Sequence, residues 1–144
     1  MRLLGIDFGN KRTGLAIGET GASNGSLALP FEMFENLPNE QLAQAITKLV
    51  KREAIDAIVI GLPLHANGAP SQQSMLTERF IITLQQLLGP TFPLHRFSEY
   101  LTSHDSESKL AGHFTRMQKR QRVDALAAAR ILQDFMDHHT DGTV

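Results

Sequence analysis

The chain has no cysteine among its 144 residues. Thiolate nucleophiles, cysteine-bound metals and disulfide scaffolds are therefore excluded, and the absence suits a reducing cytosol. Charge of one sign is not in excess either. Fourteen Lys plus Arg stand against fifteen Asp plus Glu, a formal net charge of −1, so no global basic field advertises a nucleic-acid partner and any such signal must be local. No apolar run approaches the roughly 18 residues of a membrane span, and the run within Met1-Arg2-Leu3-Leu4-Gly5-Ile6-Asp7 is too short for a signal peptide. The expectation is a soluble, cytoplasmic protein without a membrane partner. Internal repeats and low-complexity segments are also lacking.

A hydrophobic content of 42% in a chain of this length can supply one core without staples, so a single domain over residues 1–138 with a polar tail at 139–144 is expected. Residues 2 to 8 read as a short buried strand, and Gly9-Asn10 is turn chemistry before a second strand from Thr13 to Gly18. Glu19 to Pro30 reads as a loop followed by a third antiparallel strand around Leu27-Ala28-Leu29. In Glu40 to Glu53, Leu42, Ile46, Leu49 and Val50 fall at helical spacing, with Asn39 as the expected N-cap.

Asp56 to Ile60 then carries the continuous apolar run of a strand buried on both faces, ending in Gly61-Leu62-Pro63-Leu64. Ser71 caps a second helix marked by Leu76, Phe80, Leu84 and Leu87, which Gly89-Pro90 stops. Phe92 to Phe97 is a short extended segment ending at Ser98-Glu99. Thr102-Ser103 with Asp105 reads as the capped start of a third helix, and a last helix runs from about Arg122 with Val123, Leu126, Ala127, Ile131 and Phe135 on one face. Three antiparallel strands feeding a parallel α/β sheet follow from this order.

Open α/β sheets bind ligands at the carboxyl ends of their strands. Two acids stand there: Asp7 after the first strand and Glu99 after the strand Phe92 to Phe97. A third, Asp124, opens the last helix beside small alanines. Singly, each has a structural reading: an Asx turn, a solvated loop residue, a helix N-terminal charge. Together, three carboxylates in one crevice repel one another unless cations compensate them. Carboxylate oxygens suit Mg²⁺ or Mn²⁺, and two such ions roughly 4 Å apart activate water and stabilise the leaving oxygen at a phosphodiester. That is nuclease chemistry.

The local basic signal supports it. Lys109, Arg116, Lys119, Arg120 and Arg122 form an acid-free segment with His113 and Phe114, suited to phosphate contacts and base stacking. Lys11 and Arg12 in the first hairpin add two further candidate phosphate contacts. The six histidines show no zinc spacing, and no histidine ligand is expected.

Four blocks in order carry a resemblance that spans nearly the whole chain. They are Gly5-Ile6-Asp7-Phe8-Gly9 with Lys11-Arg12-Thr13-Gly14, Ile60-Gly61-Leu62-Pro63-Leu64 with Gly68, Glu99-Tyr100-Leu101-Thr102-Ser103, and Val123-Asp124-Ala125-Leu126-Ala127-Ala128. The chain resembles the YqgF/RuvX family, small ribonuclease H-like proteins described as Holliday junction resolvases and as nucleases for the 5′ end of precursor 16S ribosomal RNA. The resemblance implies a ribonuclease H-like α/β fold: a mixed five-stranded sheet, three antiparallel strands then parallel ones, flanked by helices. It also implies a Mg²⁺- or Mn²⁺-dependent endonuclease whose catalytic and metal-holding acids fall on Asp7, Glu99 and Asp124. The basic segment is similar to the family's mobile loop before the last helix.

Structured RNA or branched DNA is the implied substrate, for a monomer or a homodimer. The family usually reads Asp-Glu-Arg where this chain has Ser98-Glu99-Tyr100. Glu99 survives, but a fixed cation is lost, and Tyr100 offers only a hydroxyl and a ring. Two rival readings remain. The Asp-x-Gly hairpin also resembles the phosphate loop of the actin and hexokinase superfamily, whose ATPases clamp nucleotide between two such domains where this length holds one. The departure at Ser98 and Tyr100 would suit a catalytically silent RNA-binding module.

Overall fold

The two-residue period of the first strand decides the layering of the molecule, with Leu4, Ile6 and Phe8 on one face and Leu3 and Gly5 on the other. The computed structural model describes residues 1–21, 27–100 and 116–138, with 99, 100 and 116–124 placed as backbone. Its elements are β1 (Arg2–Phe8), β2 (Arg12–Glu19), β3 (Ala28–Glu35), α1 (Asn39–Arg52), β4 (Ala57–Leu64), α2 (Gln72–Leu88), β5 (Leu94–Tyr100) and α3 (Arg116–His138). The strands form one sheet in the order β3-β2-β1-β4-β5. β2 lies antiparallel to β1 and β3, whereas β4 lies parallel to β1 and β5. This is the expected mixed five-stranded sheet.

Each face of the sheet buries a different core. On one, Leu4, Ile6, Phe8, Leu15, Ile58 and Ile60 pack against Leu42, Ile46 and Leu49 of α1 and Phe80, Ile81 and Leu84 of α2. These are bulky side chains, and Phe8 stacks on Phe80 with ring centroids 4.6 Å apart. The other face is built from small residues. Leu3, Ala16, Ala57 and Val59 meet Ala128, Ala129, Ile131, Leu132, Phe135 and Met136 of α3. Glycines complete that face, and a Cβ on Gly5 would lie 2.8 Å from the Cβ of Leu132 and 2.9 Å from the carbonyl oxygen of Ala128. One on Gly61 would lie 2.6 Å from Cδ1 of Ile131. The helix therefore rests almost on the strand backbone.

Several boundaries differ from the sequence reading, each for a physical reason. β3 continues through Pro30 to Glu35, because an edge strand tolerates proline and a register shift opposite Leu15 and Ala16 absorbs it. β4 runs on through Pro63 to Leu64. Its pairing with β1 ends at Ile60, so beyond that point one side of β4 is open and the missing amide costs nothing. β5 begins at Leu94 and extends to Tyr100, which places Glu99 inside the strand rather than after it. Asn39 is not the cap of α1; Pro38 holds the N-cap position, without a side-chain cap. Ser71 does cap α2, in a reciprocal capping box with Ser74.

α3 starts at Arg116, six residues before the expected Arg122, so Asp124 lies in its third turn and does not open it. The helix expected from Thr102 and the tail at 139–144 lie outside the described residues.

The close approach at Gly5 makes a direct test of this layering. Gly5→Ala places a methyl against a helix carbonyl that cannot rotate away, and it is expected to destabilise the fold by about 1–3 kcal/mol. Urea unfolding should show a lower midpoint at an unchanged slope.

Candidate active site

Asp7 is the sixth of the seven residues of β1 and is half-buried. Alternation puts it on the α3 face, in line with Leu3 and Gly5. Its neighbours on that face lack side chains: Gly5 precedes it by two, Gly14 is its partner on β2, and Gly61 lies one step past Ile60 on β4. The space above Gly5 and Gly61 is taken by Leu132, Ala128 and Ile131 of α3, so these glycines bring the helix close to the strand that carries Asp7.

The direction of α3 follows from the same glycines. A Cβ on Gly18, whose partner on β1 is Leu3, would meet Met136 and Leu132, whereas one on Gly5 would meet Leu132 and Ala128. The helix thus runs antiparallel to β1, losing one turn of about 5.4 Å for each two strand residues of about 6–7 Å. One further step reaches Asp7 on the strand and Asp124 on the helix. Asp124 precedes the fully buried Ala128 by four residues and falls on the helix face that meets the sheet.

Glu99 reaches the same layer by register. On β5, Phe97 packs with the α3 core and His95 lies against Phe135 at 5.2 Å, so the odd-numbered residues face α3, and Glu99 is the next of them. Its partner on β4 is Pro63, two residues beyond Gly61. The backbone positions of Asp7, Glu99 and Asp124 therefore share one face and one end of the sheet. Their donor set is carboxylate oxygen alone, which fits a hard divalent cation and no soft one. Among the described side chains, which include Asp7 but neither Glu99 nor Asp124, no group of three His, Asp or Glu comes together.

The candidate cations are distributed around this end. Lys11 is exposed in the β1–β2 turn, and its carbonyl accepts a 2.8 Å bond from the amide of Asn36, which holds a φ of 55°. Arg12 lies at the start of β2 with its Nε 3.4 Å from Oε1 of Glu35, so part of its charge is already matched across the sheet. Arg116, Lys119, Arg120 and Arg122 belong to α3 itself and not to a loop before it, on the stretch preceding Asp124. Lys109 lies outside the described residues.

Two contacts that pattern reasoning missed tie the N-terminus of α2 to this end of the sheet. The Gln73 amide donates through Nε2 to the carbonyl of Phe8 at 3.2 Å, fixing the backbone next to Asp7. The Ser71 hydroxyl donates to the carbonyl of Pro63, the residue level with Glu99. The first had no local signal, because Gln73 bonds a residue 65 positions away.

Comparison with known proteins agrees on family and fold. A family model described as "RuvX: Holliday junction resolvase" matches residues 1–138. A protein of Rhodopirellula baltica named "Putative pre-16S rRNA nuclease" is 35% identical over 137 residues, covering 94% of this chain and 76% of its own. One of the same name from Chloroflexus aggregans is 32% identical over 136 residues, covering 94% and 92%. Among solved structures, Thermus thermophilus RuvC in complex with a Holliday junction substrate superposes with a TM-score of 0.62 at 13% identity, over 99% of this chain and 97% of that one. The fowlpox virus Holliday junction resolvase gives 0.57 at 11% identity, over 96% and 99%. At those identities the two structures establish the shared ribonuclease H-like fold.

The Gln73 contact can be tested without touching the core. Gln73→Ala is expected to cost about 1 kcal/mol of stability. Amide hydrogen exchange should quicken around Phe8 and leave the α3 face of the sheet unaffected.

Proposed function

The chain belongs to the RuvX family, and from that premise we propose that it is a divalent-metal-dependent endonuclease acting on the 5′ end of precursor 16S ribosomal RNA during ribosome biogenesis in the cytoplasm. The observation that carries the reading is the placement of Asp7, Glu99 and Asp124 at one end of the α3-covered face of the sheet. The relatives' shared name, at 32–35% identity over 94% of the chain, supplies the substrate class. Among the described residues no helix is long and apolar enough to cross a membrane.

In this reading the three carboxylates hold Mg²⁺ or Mn²⁺. A bound ion of this kind lowers the pKa of a water and stabilises the charge on the departing oxygen of a phosphodiester. The protein's own part is to hold the acids rigid. Asp7 is held by its pairing with Gly14 on β2, just beyond the last β1–β4 pair at Ile6, and Asp124 by a helix pressed onto that strand. Glu99 stands on an edge strand, with Ser98 and Tyr100 in place of the family's usual acid and arginine. In this reading exposed Lys11 and the cations in the first turns of α3 hold phosphates of the nucleic acid.

The family description favours a second substrate, a four-way DNA junction. Carboxylate and metal chemistry needs only a phosphodiester, so substrate choice falls to contacts with sugar and shape. Cleavage of a precursor rRNA hairpin and a DNA junction side by side, with the mass of the protein in solution, separates the two. A monomer that cuts RNA supports the first reading, and a stable dimer that cuts the junction symmetrically supports the second.

Asp7→Asn should reduce cleavage below detection while leaving the thermal midpoint near that of the parent; parent-like cleavage would sink the metal-site reading. A chelator should abolish activity, and added Mg²⁺ or Mn²⁺ should restore it. Lys11→Ala should weaken binding alike for all sequences and lower the salt slope of log K by about 1.

A further inference from the structure

The block Gly61-Leu62-Pro63-Leu64 pairs with the end of β5 that carries Glu99 and, with Gly68, occupies the carboxyl end of the strand between Asp7 and Glu99. Its residues have separable jobs. Gly61 admits Ile131 of α3, and the Pro63 carbonyl is held by the Ser71 hydroxyl. Gly68, at a φ of +82°, turns the chain, and its amide donates to the His65 carbonyl at 2.8 Å. The His65 amide donates to the Ala69 carbonyl at 3.0 Å, and the Ala69 amide to Oδ1 of Asn67 at 3.0 Å. Three bonds thus close a five-residue turn.

What this turn presents is His65. On β4, Ala57, Val59 and Gly61 face α3, and the next positions on that side are Pro63 and, just past the strand, His65. Pro63 is level with Glu99, so His65 lies about 6–7 Å further along the strand direction. It is exposed, and among the described residues no hydrogen bond or ion pair engages its ring. The turn's backbone is closed by its own bonds, and it leaves an exposed imidazole at the carboxyl end of the strand that lies between those carrying Asp7 and Glu99.

We infer that His65 is a substrate-binding residue: its imidazole N–H donates to a backbone phosphate of the nucleic acid next to the scissile one. This rests on the nuclease reading above. An imidazole donates at least one N–H in either protonation state, so the contact does not depend on a charged ring. At this distance from the acids the residue acts in binding and does not take part in the chemistry. It would complete a rim whose other members are Lys11 on the β1–β2 turn and the cations of α3.

The test is steady-state cleavage of a fluorescently labelled precursor rRNA hairpin by the parent, His65→Ala and His65→Lys, with direct binding of the same hairpin measured in an Asp7→Asn background. His65→Ala is expected to raise KM and the dissociation constant roughly tenfold, with kcat and thermal midpoint unchanged. His65→Lys, which restores a donor, should recover most of the loss. Parent-like KM and binding in His65→Ala would overturn the proposal while leaving the nuclease reading intact. So would a fall in kcat at constant KM, which would move His65 into the chemistry. A parent that neither binds nor cuts the hairpin or a DNA junction would overturn the nuclease reading and this assignment with it.

Discussion

The contact on which the site depends is the one between α3 and β1, where glycine and alanine bring a helix onto a strand with almost nothing between them. A Cβ at Gly5 would lie 2.9 Å from the carbonyl oxygen of Ala128, and any side chain there would lift the helix. Asp124 stands one turn before Ala128, and Asp7 two residues after Gly5. The helix separation from the sheet is therefore also the separation of the two acids' backbones.

The opposite face works differently. Bulky side chains from α1 and α2 fill the space beneath the sheet, and burial there stabilises the domain without dictating where any acid stands. Its contribution to the site comes through two hydrogen bonds at the N-terminus of α2, from Gln73 to Phe8 and from Ser71 to Pro63. These join the ends of β1 and β4, the strands on which Asp7 and the His65 turn are carried. One layer sets the spacing of the acids, and the other keeps the strand ends from fraying.

In the proposed reading, substrate contacts fall to the turns beyond the strand ends. The turn carrying Lys11 is tied to the β3–α1 connection by Asn36, and that carrying His65 is tied to itself. Both turns are hydrogen-bonded and both side chains are exposed, which suits residues proposed to meet a polyanion. Glu99 is the member with least support, because β5 is an edge strand and the residues flanking it, Ser98 and Tyr100, carry no fixed charge.

Local patterns settled much of this molecule. Alternation in Arg2–Phe8, the continuous run Ala57-Ile58-Val59-Ile60 and the Ser71 cap are all written in neighbouring residues, so the sheet and the second helix were legible at once. The acids could be marked because each stands where an apolar pattern changes. Three features were decided only by tertiary structure. The first turns of α3 lack an apolar face, so no period announces them. Pro63 could sit inside β4 because β1 ends first. The placing of Asp7, Glu99 and Asp124 on one face and at one end of the sheet arises from register across three strands and one helix, and register depends on partners far along the chain, which no local spacing encodes.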